Sequence, residues 1–150
     1  MKRHNSRILA MMTLYQHDLI DHSKMKDLLE DEKINEIDVF NELHGNKEEF
    51  EFEETFYNVL VEGVLNHIDE IDDMISKIMV KWTLDRLSFV DRAILRLATF
   101  EMVYTKTPKE VIISEAIEIT GEYVDIEDFP AKKFNNKVLE NIKASLNGKQ

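Results

Sequence analysis

The stretch LDRLSFVDRAILRLATFEMVY, Leu84 to Tyr104, constrains the fold more than any other part of this chain. Its apolar side chains (Phe89, Val90, Ile94, Leu95, Leu97, Ala98, Phe100 and Met102) recur at helical spacing. Ser88 followed three residues later by Asp91 resembles a capping box, with Asp in place of the preferred Glu. The cap oxygen accepts an orphan N–H, and the acid sits at the positive end of the helix dipole. So wide an apolar surface cannot stay in water and is expected to form the central element of a helical core. Arg86, Arg92 and Arg96 punctuate it, in an otherwise acidic protein.

Other periodic segments surround this one. Asn5 or Ser6 is expected to cap a first helix whose Ile8, Leu9, Met12, Tyr15 and Leu19 face inward. Residues 20–47 are polar and acid-rich, and read as one or two short helices ending near Gly45. Five acids between Glu48 and Glu54 suit the first turn of a further helix from Phe50 to Val64, with Phe52, Phe56, Val59, Leu60 and Val64 inward. Ile68, Ile71, Ile75, Ile78 and Met79 mark the next, with Trp82 at or near the core. Thr107-Pro108-Lys109-Glu110 has a cap, a first-turn proline and a box acid in the preferred order. It opens a helix carrying Val111, Ile112, Ala116, Ile119 and Tyr123, with Gly121 near its end. The last helix, about 130–146, turns Phe134, Val138, Leu139, Ile142 and Leu146 inward. With four Gly and two Pro in 150 residues, and no linker or repeat, the chain reads as all-α, one compact domain (1–150) of about seven helices.

The absence of Cys excludes disulfides, thiol nucleophiles and Cys-based zinc sites. No apolar run reaches the ~18–20 residues of a membrane span, and MKRHNSR does not lead into an apolar stretch, so a cytoplasmic, soluble protein with no membrane partner is expected. The net charge of −11 is unevenly spread. Residues 1–18 carry +2 and residues 129–150 carry +4, which leaves −17 between them. Both ends would attract a polyanion if the fold brought them together. Lysine-rich termini also serve solubility, and charge alone favours that reading.

Catalytic signals are missing. There is no Gly-rich phosphate loop, no G-x-S-x-G and no H-E-x-x-H. The five His lie among polar residues and read as surface side chains. Glu115 and Glu118 share a helix, but the paired E-x-x-H motifs of a di-iron bundle are absent. No enzyme, no metal site and no cofactor is expected. A nucleic-acid interface has better support. Lys132-Lys133-Phe134 sets two cations beside an aromatic at a helix start, and Arg3 and Arg7, four apart, project to one side of a helix that extends back that far. Phe134 is equally compatible with a core position, its lysines then being merely solvated.

Residues 84–104, PKEVIISEAIEIT at 108–120 and KKFNNKVLENI at 132–142 resemble the NusB transcription antitermination factors. The amino-terminal R-x-L-A-M-M-T-L-Y-Q-H-D at 7–18 resembles that family's first helix. The likeness is strong over about 82–142, fair at 7–18 and weak between 20 and 60. It implies two packed helical bundles without enzymatic activity. It also implies binding to boxA-type single-stranded RNA of ribosomal RNA operons, together with the small-subunit ribosomal protein that acts as NusE, within the transcription elongation complex. Carried over by position, the RNA-binding residues would be Lys2, Arg3, Arg7, Lys132, Lys133 and Phe134, and Asp91 would face the NusE-type partner. The departures are a sparser amino-terminal Arg cluster and Phe134-Asn135-Asn136-Lys137 where the family reads phenylalanine-valine-asparagine-glycine. The alternative function is a helical protein–protein interaction module using its acidic faces, with little RNA binding of its own. A homodimer is compatible with the sequence.

Overall fold

The computed structural model describes residues 2–21, 51–79, 83–124 and 131–147. Within them lie six α-helices: α1 (Lys2–Asp21), α2 (Glu54–Asn66), α3 (Ile68–Ile78), α4 (Phe89–Tyr104), α5 (Lys109–Tyr123) and α6 (Ala131–Asn147). A single 3-10 turn, Leu84–Arg86, precedes α4, and no strand occurs among the described residues. The helices expected between 20 and 47, and Trp82, lie outside them.

Every other helix packs on α4. α1 and α2 lie together on one side of it, α5 and α6 pack on each other and on α4, and α3 reaches both α4 and α6. Residues Asp91 to Met102 of α4 are all buried, charged ones included, as expected for a helix surrounded by partners rather than lying on a surface. Leu9, Leu60, Ile75, Leu95 and Leu139, one from each of five helices, are completely inaccessible. Each such side chain contributes about 1.5–3 kcal/mol relative to exposure.

The α4 cap forms as the sequence indicates. Ser88 Oγ accepts from the Asp91 amide at 3.0 Å and donates to Asp91 Oδ2 at 2.9 Å. Elsewhere the local signals shift. α1 begins at Lys2, ahead of both proposed caps, and those two residues perform a different task. Asn5 Nδ2 donates to the Glu51 carbonyl at 2.7 Å, while the buried Ser6 hydroxyl bonds both backbone groups of Glu53. The chain leading into α2 is thereby laid along α1, so 51–53 stays outside the helix, Glu53 is extended, and α2 starts at Glu54 rather than Phe50. Pro108 stands at the boundary of α5 in place of Thr107, and Gly121 lies inside that helix. Leu19, Val59 and Val111, expected inward, are exposed. Leu60, Val64 and Ile112 are buried as expected, and Met11, Leu14 and Ile113 join the core as well.

Buried charge ties the elements together. Arg96 of α4 donates to both carboxylate oxygens of Asp72 in α3, at 2.8 and 2.9 Å, and to Asp18 of α1 at 3.2 Å. Burial alone would lower the Arg96 pKa, but the hydrogen bonds and charge of Asp72, with those of Asp18, hold it above its ordinary value.

Candidate nucleic-acid interface

The amino-terminal cations share the first two turns of α1, and each meets a carboxylate. Lys2 Nζ lies 3.8 Å from Glu51, with both side chains well exposed. Arg3 donates to Glu53 at 3.0 Å and lies over the Phe56 ring, 4.4 Å from its centroid. His4 Nδ1 is 2.5 Å from Glu115 Oε2, and its Nε2 is 3.7 Å from Glu122. The surface role expected of this histidine is therefore corrected: it is a partly buried link between α1 and α5.

Arg7 departs furthest from expectation. Its residue is 4% exposed, and the guanidinium makes a two-pronged bond to Glu101 of α4 at 2.8 and 2.9 Å, with Glu115 3.5 Å away. Desolvation pulls its pKa down. The hydrogen bond and charge of Glu101, with the charge of Glu115, outweigh that and raise it. A guanidinium enclosed and satisfied in this way is not presented to a phosphate, so Arg7 leaves the expected set of RNA contacts. Arg3 remains half-exposed beside an open groove of about 470 Å³ that also takes in Phe56, Val59, Lys106 and Pro108. The sequence reading missed this groove because the α4–α5 connection that walls it carries a helix-start signal but none for binding.

The carboxyl-terminal half of the interface is the start of α6. Lys133 is exposed, and Phe134 is half-buried against the core. Its burial is therefore intermediate between the two alternatives for its ring. Lys132 is exposed and runs across Gly121 of α5, so closely that a Cβ there would stand 2.3 Å from its Cε. Glu122, the next residue, faces His4. The last turns of α5 are thus a common wall, touched by α1 through His4 and by α6 through Lys132.

Asp91, expected to face a protein partner, is 3% exposed. Its Oδ1 accepts from Asn135 Nδ2 at 3.1 Å, and the same amide reaches Thr120 at 3.2 Å. It is an internal tie between α4, α5 and α6, and its carboxylate does not reach a docking surface. Asn135, a departure from the family pattern, supplies that tie. A carboxylate buried this deeply requires polar partners, and Asn135 is one of them.

Comparison with known proteins agrees with this architecture. A family model described as the NusB family matches residues 4–144. The transcription antitermination protein NusB of Bacillus subtilis (strain 168) is 39% identical over 150 residues, covering 97% of this chain and 98% of that protein. The NusB of an Exiguobacterium species is 41% identical over 143 residues, covering 95% and 97%. Among solved structures, T. maritima NusB superposes with a TM-score of 0.70 at 32% identity, covering 96% of this chain and 92% of that one. NusB crystallised with NusE and dsRNA gives 0.64 at 26% identity, covering 95% and 96%. With a match spanning nearly its whole length and the same helical fold, this chain belongs to the NusB family.

Proposed function

We propose that the protein is a transcription antitermination factor, a non-catalytic adaptor that binds boxA-type single-stranded RNA jointly with a NusE-type ribosomal protein. Family membership supports the class of function, and the crystallised NusB–NusE–RNA assembly supports the kinds of partner. The observation that carries the site is the start of α6, where Lys132 and Lys133 are exposed next to a Phe134 that is only partly buried. Lys2 and Arg3 complete the set, each exposed and paired with a surface carboxylate that a phosphate can replace, Arg3 resting also on the Phe56 ring. No helix among the described residues is long and apolar enough to cross a membrane, which agrees with action in the cytoplasm.

If these four cations each neutralise a phosphate, log K falls with log salt at a slope of about −3, from ~0.7 per single-strand contact. Fluorescence anisotropy of a labelled boxA-like oligonucleotide across a salt series, with and without the NusE-type partner, measures this. A slope near zero removes the electrostatic assignment. The second reading, a protein-only adaptor, is favoured by the acids already set against Lys2, Arg3, His4 and Arg7. Pull-down of the partner that is indifferent to RNA, together with no RNA binding by the pair, would select it.

A further inference from the structure

We propose that His4, Glu118 and Glu122 form a site for one divalent transition-metal ion of the zinc class. One ligating atom from each of these three side chains lies within 4.8 Å of the other two. The set is more than a patch of acids. It combines one imidazole from α1 with two carboxylates spaced i,i+4 on α5, the mixed nitrogen and oxygen donors that zinc accepts with a fourth position left for water. Tetrahedral coordination at ordinary Zn–N and Zn–O lengths needs donor atoms about 3.3–3.5 Å apart. Rotation of the two exposed glutamate side chains supplies the remaining contraction.

Glu115 orients the His4 ring. Its Nδ1 is engaged by Glu115 Oε2, while the other oxygen of Glu115 faces Arg7 at 3.5 Å. Glu115 is therefore anchored from behind and fixes the imidazole plane, leaving Nε2 as the nitrogen directed at Glu122. A carboxylate on one ring nitrogen with the metal on the other is the usual arrangement of metal-bound histidine. Glu118 and Glu122 meanwhile stand as like charges on one helix face, a repulsion that a bound cation relieves.

The test uses the full chain without RNA, and so stands or falls separately from the RNA reading. Titration with Zn²⁺ by calorimetry, and with Co²⁺ by visible absorption, should show one saturable site per chain and the spectrum of a four-coordinate ion. His4→Gln and Glu122→Gln should each abolish it, and Glu115→Gln should weaken it about 10–100-fold. Glu118→Gln, at an exposed helix position, should abolish it as well and remains informative where the His4 variant fails to fold. Absence of saturable uptake, or uptake that survives any of the three ligand substitutions, overturns the proposal.

Discussion

Arg7 and Glu101, 94 positions apart in the chain, form a two-pronged ion pair sealed between α1 and α4, with residue exposures of 4% and 1%. The pair lets a charged α1 residue and a charged α4 residue lie in the core where neither could be buried alone. Arg7→Leu should therefore cost about 3–5 kcal/mol, because it strands the Glu101 carboxylate without its counter-charge. Urea unfolding measures the loss. The double replacement Arg7→Leu with Glu101→Leu should recover much of it. A wild-type midpoint for Arg7→Leu, coupled with a shallower RNA salt slope, would return Arg7 to the RNA surface.

Gly63 explains how α2 approaches α4 so closely. A Cβ at this position would stand 2.1 Å from the Phe100 ring, which is itself buried. Gly63→Ala removes a helix-weakening glycine, worth ~0.5–1 kcal/mol in its favour. Against that stands an overpacking penalty of about 1–3 kcal/mol. The net expectation is a lower melting temperature, and a restored one in Gly63→Ala combined with Phe100→Leu. An alanine variant as stable as wild type would show that the two helices can part without cost.

What the sequence reveals and what it hides divide along a physical line. Ile71 with Ile75, and Val138 with Leu139 and Ile142, face the core because apolar side chains at helical spacing have nowhere else to go. Position-by-position polarity has no comparable power over Arg7, Asp91 or Asn135. Each is polar and each is buried, and what settles the matter is a partner on another helix: Glu101 for Arg7, and Asp91 and Asn135 for one another. His4 follows the same rule, since Glu115 lies 111 positions away. The cations at the start of α6 were legible because neighbours in sequence make up that part of the candidate site. The groove beside Arg3 was not, because α1, α2 and the α4–α5 connection each supply a part of it.

The Asp91–Asn135 bond holds Asp91 inside the fold, away from any partner-facing surface. Asn135→Ala leaves Asp91 Oδ1 and Thr120 without their shared donor inside the core. The expected loss is about 1–3 kcal/mol, the cost of an unsatisfied buried polar group, more if the carboxylate stays charged. Affinity for the NusE-type partner, measured well below the melting temperature, should not change. A variant of normal stability with impaired partner binding would place the Asp91 region back in the interface.

Glu110 and Lys143 join the start of α5 to α6 through a 2.9 Å bond. The hydrogen bond from Lys143 holds the Glu110 carboxyl below the usual glutamate range, aided by its own backbone amide. A folded-state pKa below the unfolded one means that this contribution is fully present above the unfolded value. It is lost as pH falls through the folded one. Carboxyl-carbon NMR should show Glu110 titrating below the usual glutamate range, and Lys143→Met should move it back toward that range. An unchanged titration in Lys143→Met would mean that the pair does not persist in solution.

Gly121 separates RNA recognition from folding. A Cβ there would meet Lys132 Cε at 2.3 Å and Nζ at 2.9 Å, so alanine displaces the far end of a flexible lysine rather than any backbone. The backbone at 121 is already helical, so Gly121→Ala should leave stability unchanged or raise it by up to ~1 kcal/mol. If Lys132 neutralises a phosphate from its present position, the same substitution should weaken boxA-like RNA binding and flatten the salt slope by about 0.7. Phe134→Leu completes the comparison. Leucine retains an apolar side chain against the core but has no flat face, so stacking worth ~1–3 kcal/mol per base is lost with only a modest drop in melting temperature. RNA affinity unmoved by both substitutions would leave the start of α6 a structural element and transfer the search to Arg3 and its groove.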